Sequence, residues 1–174
     1  MRLKYLVLLS VTGTIISLDQ FTKHLVTLKF HLGESISLIP GFFSLTYVRN
    51  PGAAFGLLAK ADPVWRVPFF IIIPLVALIV ISFIFRKVGD ADLKLSSALS
   101  LVIGGAVGNL IDRAAYSYVI DFLDFHWGAG GPHFPAFNVA DAAICVGVGL
   151  LILDIFQKEK LQKELEKKDA PRTA

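Results

Sequence analysis

Long runs without a formal charge constrain the fold of this chain more than any other feature. Residues 67–85 form a run of 19 residues, residues 95–111 a run of 17, and residues 142–153 a shorter one. A helix needs about 17–25 predominantly apolar residues to cross a bilayer, so the first two runs can span it outright. The third is long enough if its helix begins near Asn138 and continues to about Phe156.

The N-terminus carries a further apolar segment, Tyr5–Leu18, directly after Arg2 and Lys4. A basic start followed by an apolar stretch is also typical of a secretory signal peptide. No Ala-x-Ala cleavage site follows, and the stretch continues instead into Asp19. We therefore predict a retained first helix and four spans in all, at about residues 5–23, 67–85, 95–113 and 138–156.

Most of the 17 Lys and Arg residues fall in the N-terminus, in residues 86–94 and in the tail at 157–174. They are Arg2, Lys4, Arg86, Lys87, Lys94, Lys158, Lys160, Lys163, Lys167, Lys168 and Arg172. Because positive residues flank transmembrane helices on the cytoplasmic side, both termini are predicted to be cytoplasmic. The segments 24–66 and 114–137 are then extracytoplasmic. The tail is expected to be a solvated end, either a frayed helix or disordered.

The segment 24–66 is the longest connection, and it contains a β-prone run, Phe42–Val48, between turn residues. We predict a short strand-rich excursion that lies on the membrane, and a plain surface crossing for residues 114–137. The fold class is therefore an all-α membrane protein with four transmembrane helices and a small extracytoplasmic β-rich element. The whole chain, 1–174, forms a single membrane-embedded domain.

Several classes of site are not expected from the composition. The single cysteine, Cys145, leaves no partner for an internal disulfide and is typical of a small core residue. The four histidines form no HExxH or other close helical pair, so a metal centre is not predicted. Basic motifs with interleaved aromatic residues are missing, and the Lys-rich tail is also Glu-rich, so membrane lipids rather than nucleic acid are the expected partners.

Two aspartates lie in apolar sequence near the ends of predicted spans: Asp121 in Val-Ile-Asp-Phe, and Asp141 three residues after Asn138, a candidate helix N-cap. A carboxylate beside hydrocarbon is costly and therefore indicates a functional site. If the two carboxyl groups come within hydrogen-bonding distance, they share a proton, and one acts as base on a water while the other acts as acid. The alternative is that each caps a helix or pairs with a nearby base.

Further polar residues end the apolar helices. Asn109 and Arg113 are four residues apart and share a helix face, while Asp112 can reach Arg113 or Lys23. They form either an interfacial anchor or a set of donors to substrate oxygens. Asp19 and Lys23 have the spacing of a salt bridge at a helix end.

Two glycine-containing segments permit close backbone approach. Gly104-Gly105-Ala106 and Gly108 lie on the third predicted helix, where small residues allow helices to pack tightly. The segment from Asn50 to Gly56 is either a turn or a small-residue platform for another chain.

Five blocks, taken together and in this order, closely resemble bacterial lipoprotein signal peptidase, also called signal peptidase II. They are Asp19-Gln20-x-Thr22-Lys23, Asn50-Pro-Gly-Ala-Ala-Phe-Gly56, Gly104-Gly-Ala-x-Gly-Asn109-x-x-Asp112-Arg113, Val119-x-Asp121-Phe122 and Phe137-Asn138-x-Ala-Asp141. The blocks cover residues 19–141, and no motif position departs from the family pattern. The tail beyond about Phe156 has no motif to match.

This resemblance implies an intramembrane aspartyl protease of the bacterial inner membrane, with its active site on the extracytoplasmic side and no cofactor. Its substrates would be diacylglyceryl-modified prolipoproteins, cleaved just before the lipidated cysteine, and the excursion at 24–60 would clamp them from above. A monomer is expected. By motif, the catalytic pair is Asp121 and Asp141; the residues that bind substrate or support the site are Asn50, Gly52, Asn109, Arg113, Asn138, Asp19, Lys23, Gly105 and Asp112.

Two other functions are compatible with the residues alone. Intramembrane aspartates relay protons in transporters, but here both lie near one face of the membrane rather than along a path through it. A purely structural assembly factor would tolerate isosteric Asp→Asn changes at positions 121 and 141.

Overall fold

Four long helices make up most of the chain. The computed structural model describes residues 2–52, 58, 61–128 and 130–169, and within them the helices are α1 (Leu3–Lys29), α2 (Pro63–Lys87), α3 (Leu93–Tyr116) and α4 (Val139–Asp169). Each is long and apolar enough to cross a membrane. The predicted number of spanning helices is therefore confirmed.

Helices α2 and α3 begin at side-chain caps, and the helices run further than the predicted spans. Asp62 and Asp92 cap α2 and α3 by accepting hydrogen bonds from the backbone N–H groups of Val64 and Leu95. Helix α1 continues to Lys29 rather than to residue 23, and α4 to Asp169 rather than to residue 156. The α4 extension is solvated, with residues 157–166 exposed. It remains helical because charged residues with i,i+4 pairing sustain a helix in water.

A three-stranded antiparallel sheet lies outside the helices, in the order β1 (Ser35–Ile39), β2 (Phe43–Asn50) and β3 (Val119–Phe125). This confirms the predicted β-rich element but enlarges it. Strand β3 falls in the segment 114–137, for which a surface crossing but no strand was predicted. The cause is a short run, Val-Ile-Asp-Phe-Leu-Asp-Phe, whose β-branched and aromatic residues pair with β2.

One face of the sheet packs on the last turns of α1. Tyr47, Ile120 and Phe122 form a buried cluster with Val26 of α1, and Phe30 and Tyr118 pack around it. The sheet is therefore attached at the end of the helix bundle where α1 and α3 finish and where α2 and α4 begin. At the opposite end, the buried Lys4 ammonium donates to the carbonyl oxygens of Arg86 (3.2 Å) and Val88 (2.5 Å) and so caps α2.

Helix α3 packs between α1 and α4, and its glycines determine how closely they approach. A Cβ atom on Gly105 would overlap the carbonyl oxygen of Ala140 and lie 2.7 Å from Ile144 Cγ1. A Cβ atom on Gly108 would lie 2.7 Å from Asp19 Oδ2. Both positions therefore exclude any side chain, as expected where small residues bring helix backbones together.

We expect Gly105→Ala to destabilise the protein by about 1–3 kcal/mol, because the backbone of α4 must move away from α3. The measurement is the midpoint of thermal unfolding in detergent. Gly13→Ala on α1 is the matched control, because nothing lies within 4 Å of the added methyl group. It should leave the midpoint unchanged or raise it slightly, since alanine favours helix. Equal midpoints for the two variants would contradict the packing argument.

Candidate active site

The first turn of α4 holds Asp141 in place through reciprocal hydrogen bonds with Asn138. The Asn138 side-chain oxygen accepts from the backbone N–H of Asp141 (2.9 Å), and Asp141 Oδ2 accepts from the backbone N–H of Asn138 (3.3 Å). This is a capping box, in which the N-cap residue and the third helical residue satisfy each other's backbone donors. Asn138 is thus the helix N-cap expected from the sequence.

Asn138 also binds the second carboxylate. Its Nδ2 donates to Asp121 Oδ1 at 2.7 Å, and the other oxygen of Asp121 accepts from Asn50 Nδ2 at 3.0 Å. One asparagine, itself fully buried, therefore touches both Asp121 and Asp141. The side chain of Asn50 is fixed in turn, because its oxygen accepts from the backbone N–H of Gly52 at 3.0 Å, the pattern of an Asx turn.

Asp121 has a strongly perturbed acidity. Burial raises the pKa of Asp121 to about 7, and repulsion by the Asp141 carboxylate contributes further in the same direction. Hydrogen bonds from Asn50 and Asn138, together with the charge of Lys23, lower the pKa but do not outweigh burial. A carboxyl group whose pKa lies near neutrality can hold or release a proton at working pH, as acid–base catalysis requires.

Asn109 connects Asp141 to a buried lysine. Its Nδ2 donates to Asp141 Oδ1 at 2.7 Å, while its oxygen accepts from Lys23 Nζ at 3.0 Å and from Asn138 Nδ2 at 3.2 Å. Two donors on the oxygen leave the amide only one orientation, with the NH2 group directed at Asp141. Asn109 therefore presents a donor, and never an acceptor, to that carboxylate.

Lys23 sits at the centre of a buried ionic cluster. Its ammonium lies 2.8 Å from Asp19 Oδ2 and 2.9 Å from Asp112 Oδ2, and the three side chains are at most 2% exposed. Gln20 Nε2 donates to Asp112 (3.0 Å) and to Asp19 (3.2 Å). We refer to Asp19, Gln20, Lys23 and Asp112 as the lysine cluster.

The lysine cluster binds the backbone immediately before each of the two site aspartates. Asp19 Oδ1 accepts from the N–H of Ala140 at 2.9 Å, and Asp112 Oδ2 accepts from the N–H of Ile120 at 3.0 Å. Ala140 precedes Asp141, and Ile120 precedes Asp121. The cluster thus positions α4 and β3 with one pair of charge-assisted hydrogen bonds.

Arg113 lies on the other side of the site. Its Nη2 donates to the carbonyl oxygen of Gly52 at 3.3 Å, and its guanidinium lies over the ring of Phe70 in α2, 5.3 Å from the centroid. It therefore links α3 both to the turn after β2 and to α2. Asp112 pairs with Lys23 and not with Arg113, which decides between the two partners that the spacing allowed.

The eleven residues singled out from the sequence come together at one end of the bundle. Asp121, Asp141, Asn50, Asn109 and Asn138 form one hydrogen-bonded group; Asp19, Lys23 and Asp112 lie behind it; Gly52, Gly105 and Arg113 border it. Their functional roles remain predictions. Residues 53–56 of the small-residue segment lie outside the described residues, and in the described part no group of three His, Cys, Asp or Glu could hold a metal ion.

Sequence reasoning missed two contributing residues and one strand. Gln20 belongs to the first motif block but was given no role, although a polar residue beside Asp19 in an apolar helix was a signal that could have been used. Phe70 gave no signal at all, since it lies in the charge-free run 67–85 of α2. Asp121 follows the end of α3 and lies within strand β3, which was not predicted.

Comparisons with known proteins agree with the geometry. A family model described as signal peptidase (SPase) II matches residues 11–157. The chain is 48% identical over 164 residues to the lipoprotein signal peptidase of Geobacter metallireducens, covering 94% of this chain and 99% of that protein. It is 51% identical over 150 residues to the lipoprotein signal peptidase of Geobacter sulfurreducens, covering 86% and 91% respectively.

The fold matches a solved structure as well. A bacterial membrane enzyme determined by the in meso method at 2.3 Å resolution superposes with a TM-score of 0.76 and 32% identity, covering 96% of this chain and 94% of that one. The predicted family and the predicted class of enzyme are confirmed. The chain is a multi-pass membrane peptidase that belongs to the signal peptidase II family.

Proposed function

We propose that this protein removes the signal peptide from diacylglyceryl-modified prolipoproteins, cutting just before the lipidated cysteine with Asp121 and Asp141 as the catalytic pair. The names of the relatives support the prolipoprotein substrate. The observation that carries the catalytic assignment is that Asn138 donates to both carboxylates, from its side-chain Nδ2 to Asp121 and from its backbone N–H to Asp141. No cofactor takes part, because an acid–base pair and a water molecule supply all the chemistry.

In the proposed reaction the pair holds one proton. The ionised carboxylate removes a proton from a water molecule as it attacks the scissile carbonyl, and the protonated carboxyl group donates to the departing amine. Mutual repulsion and burial favour the singly protonated state at neutral pH. Asn50, Asn109 and Asn138 use neutral amides to orient the carboxylates, so they hold the geometry without adding a charge that would stabilise a doubly ionised pair.

The position of the pair suits a lipid-anchored substrate. Asp141 begins a membrane-spanning helix and Asp121 lies on the sheet attached at the same end, so a scissile bond beside a diacylglyceryl group would arrive at the level of the carboxylates. Arg113 and Gly52 border the same space and would orient the substrate backbone. The segment 24–60, part of which lies outside the described residues, would cover the substrate.

Charge distribution supports an extracytoplasmic active site in the inner membrane. The basic residues Lys4, Arg86, Lys87 and Lys158 lie at the end of the bundle opposite the site. By the positive-inside rule that end is cytoplasmic, along with both termini. We further propose that one polypeptide suffices, because every residue of the proposed site comes from a single chain.

The catalytic pair is tested by isosteric substitution. We expect Asp121→Asn and Asp141→Asn each to reduce cleavage of a diacylglyceryl-modified prolipoprotein by at least about 10²–10⁴-fold, since either change removes one of the two proton-transfer groups. The measurement is a gel-shift assay in nanodiscs at saturating enzyme.

Asp124→Asn is the matched control for this experiment. Asp124 lies on the same strand and is buried, but its carboxylate binds His133 Nδ1 at 2.8 Å instead of the site asparagines. Cleavage should persist in this variant. Full activity of a folded Asp121→Asn or Asp141→Asn protein would refute the assignment.

The pH dependence follows from the acidity of Asp121. With its pKa at about 7, the pair keeps its proton below that pH and loses it above, so the cleavage rate should fall as the pH rises through 7. Asn50→Leu removes a hydrogen bond that favours the ionised form of Asp121 and should move this fall to higher pH. Rates measured from pH 5 to 9 would test both statements, and a rate that rises through pH 7 would contradict them.

The lysine cluster provides a structural test. Lys23→Met leaves Asp19 and Asp112 buried without their cation, so we expect a loss of about 3–5 kcal/mol of stability, or no folded protein at all. Lys29→Met, on the exposed last turn of the same helix, should be tolerated. Thermal unfolding in detergent distinguishes the two, and an unchanged midpoint for Lys23→Met would show that the cluster is dispensable.

A further inference from the structure

Arg49, the residue before Asn50, is exposed and yet firmly held. Its Nε donates to the hydroxyl of Tyr47 at 3.0 Å. Its guanidinium carbon lies 4.9 Å from the ring centroid of Tyr118 and 5.5 Å from that of Tyr47. Tyr116 stacks on Tyr118 with centroids 5.7 Å apart. We call Tyr47, Tyr116 and Tyr118 the tyrosine platform.

Within the part of the chain that the structure describes, only one nitrogen atom of Arg49 makes a hydrogen bond. Nε is bound to Tyr47, so both terminal nitrogens remain available as a fork whose orientation the rings fix. Among the described residues no carboxylate lies within ion-pairing distance of this guanidinium, although Arg2, Lys4, Lys23 and Lys158 all have acidic partners. A rigid guanidinium fork without an internal anion is suited to bind a phosphate through two parallel hydrogen bonds.

The position of the tyrosine platform relative to the membrane indicates the source of that phosphate. Tyr116 is the last residue of the spanning helix α3, and Tyr47 and Tyr118 pack on Val26 and Phe30 at the last turn of α1. Tyrosines at the ends of spanning helices lie at the level of the lipid headgroups. Arg49 is therefore presented where phospholipid phosphates are most concentrated.

We propose that Arg49 and the tyrosine platform form a binding site for the phosphate of a phospholipid headgroup. The lipid is a component of the surrounding membrane and not the substrate, whose diacylglyceryl group carries no phosphate. The two terminal nitrogens of Arg49 donate to phosphate oxygens, and the exposed Tyr116 borders the glycerol region.

This site is adjacent to the proposed catalytic pair but on the opposite face of the sheet. Arg49 pairs with Ile120 and shares its face of the sheet, which packs on α1, whereas Asn50 donates to Asp121. Lipid bound to Arg49 would hold the end of β2 at a fixed depth and so keep Asn50 in register with Asp121. This last consequence rests on the proposed function, whereas the lipid site itself does not.

The test measures binding of dioleoylphosphatidylglycerol to the full chain in dodecyl maltoside, by native mass spectrometry and by the rise in thermal midpoint. We expect Arg49→Gln to weaken the tightest lipid-binding event about tenfold or more, and Arg49→Lys to weaken it less, because charge is kept while the fork is lost. Lys29→Gln, at the same height on α1, should bind as wild type does. Dioleoylglycerol, with the same chains and no phosphate, should give no midpoint rise that depends on Arg49.

Three results would overturn the proposal. One is equal affinity of wild type and Arg49→Gln for the phospholipid; another is an equal loss in Lys29→Gln, which would indicate unspecific surface charge. The third is a midpoint rise with inorganic phosphate that matches the lipid, which would indicate a free-anion site. Repeating the titration with Asp121→Asn separates the two proposals, because lipid binding should survive in that variant whether or not the carboxylate is catalytic.

Discussion

The ion pair network around Lys23 is the interaction on which the rest of this structure depends. Burying one ammonium and two carboxylates costs several kcal/mol for each ion, and the cost is offset only when the geometry satisfies every group. Here Lys23 contacts Asp19, Asp112 and the Asn109 amide at 2.8–3.0 Å. The other two carboxylate oxygens, Asp19 Oδ1 and Asp112 Oδ1, accept from the N–H of Ala140 and from Gln20. Asp112 Oδ2, which also pairs with Lys23, accepts from the N–H of Ile120. A cluster that is complete in this way specifies one arrangement of α1, α3, α4 and β3.

The lysine cluster is connected to the two site aspartates through backbone hydrogen bonds. Asp19 and Asp112 bind the N–H groups of residues 140 and 120, each directly before a site aspartate, so the cluster and the aspartates cannot move independently. Asparagines then make the final contacts. A lysine or arginine in their place would lower the pKa of Asp121 and favour a doubly ionised pair. Amide donors restrain the carboxylates while burial keeps that pKa near 7.

The helices and the polar residues of the site could be predicted from the sequence. The contacts between those polar residues could not. Uninterrupted apolar runs made the spans predictable, because crossing a bilayer leaves few alternatives to a helix. The polar residues stood out because charge is rare in such segments. Which base Asp112 would bind was open, since Arg113 is its neighbour in the sequence and Lys23 comes from a distant part of the chain. Strand β3 was missed because its pairing with β2 is long-range and leaves little local periodicity.

An irregularity in the pairing of β2 with β3 shows why the contacts of the site could not be predicted from the sequence alone. Leu45 pairs with Leu123, whereas Val48 pairs with Asp121, so β2 contains one residue more than β3 between these points. This bulge places Asn50 on the same face as Asp121 and Arg49 on the opposite face. Without it the register would shift by one, and Tyr47 and Arg49 would share the face of the carboxylate while Asn50 pointed to α1. Nothing in the run Leu45–Val48 marks the extra residue, yet the hydrogen bond from Asn50 to Asp121 exists only because of it.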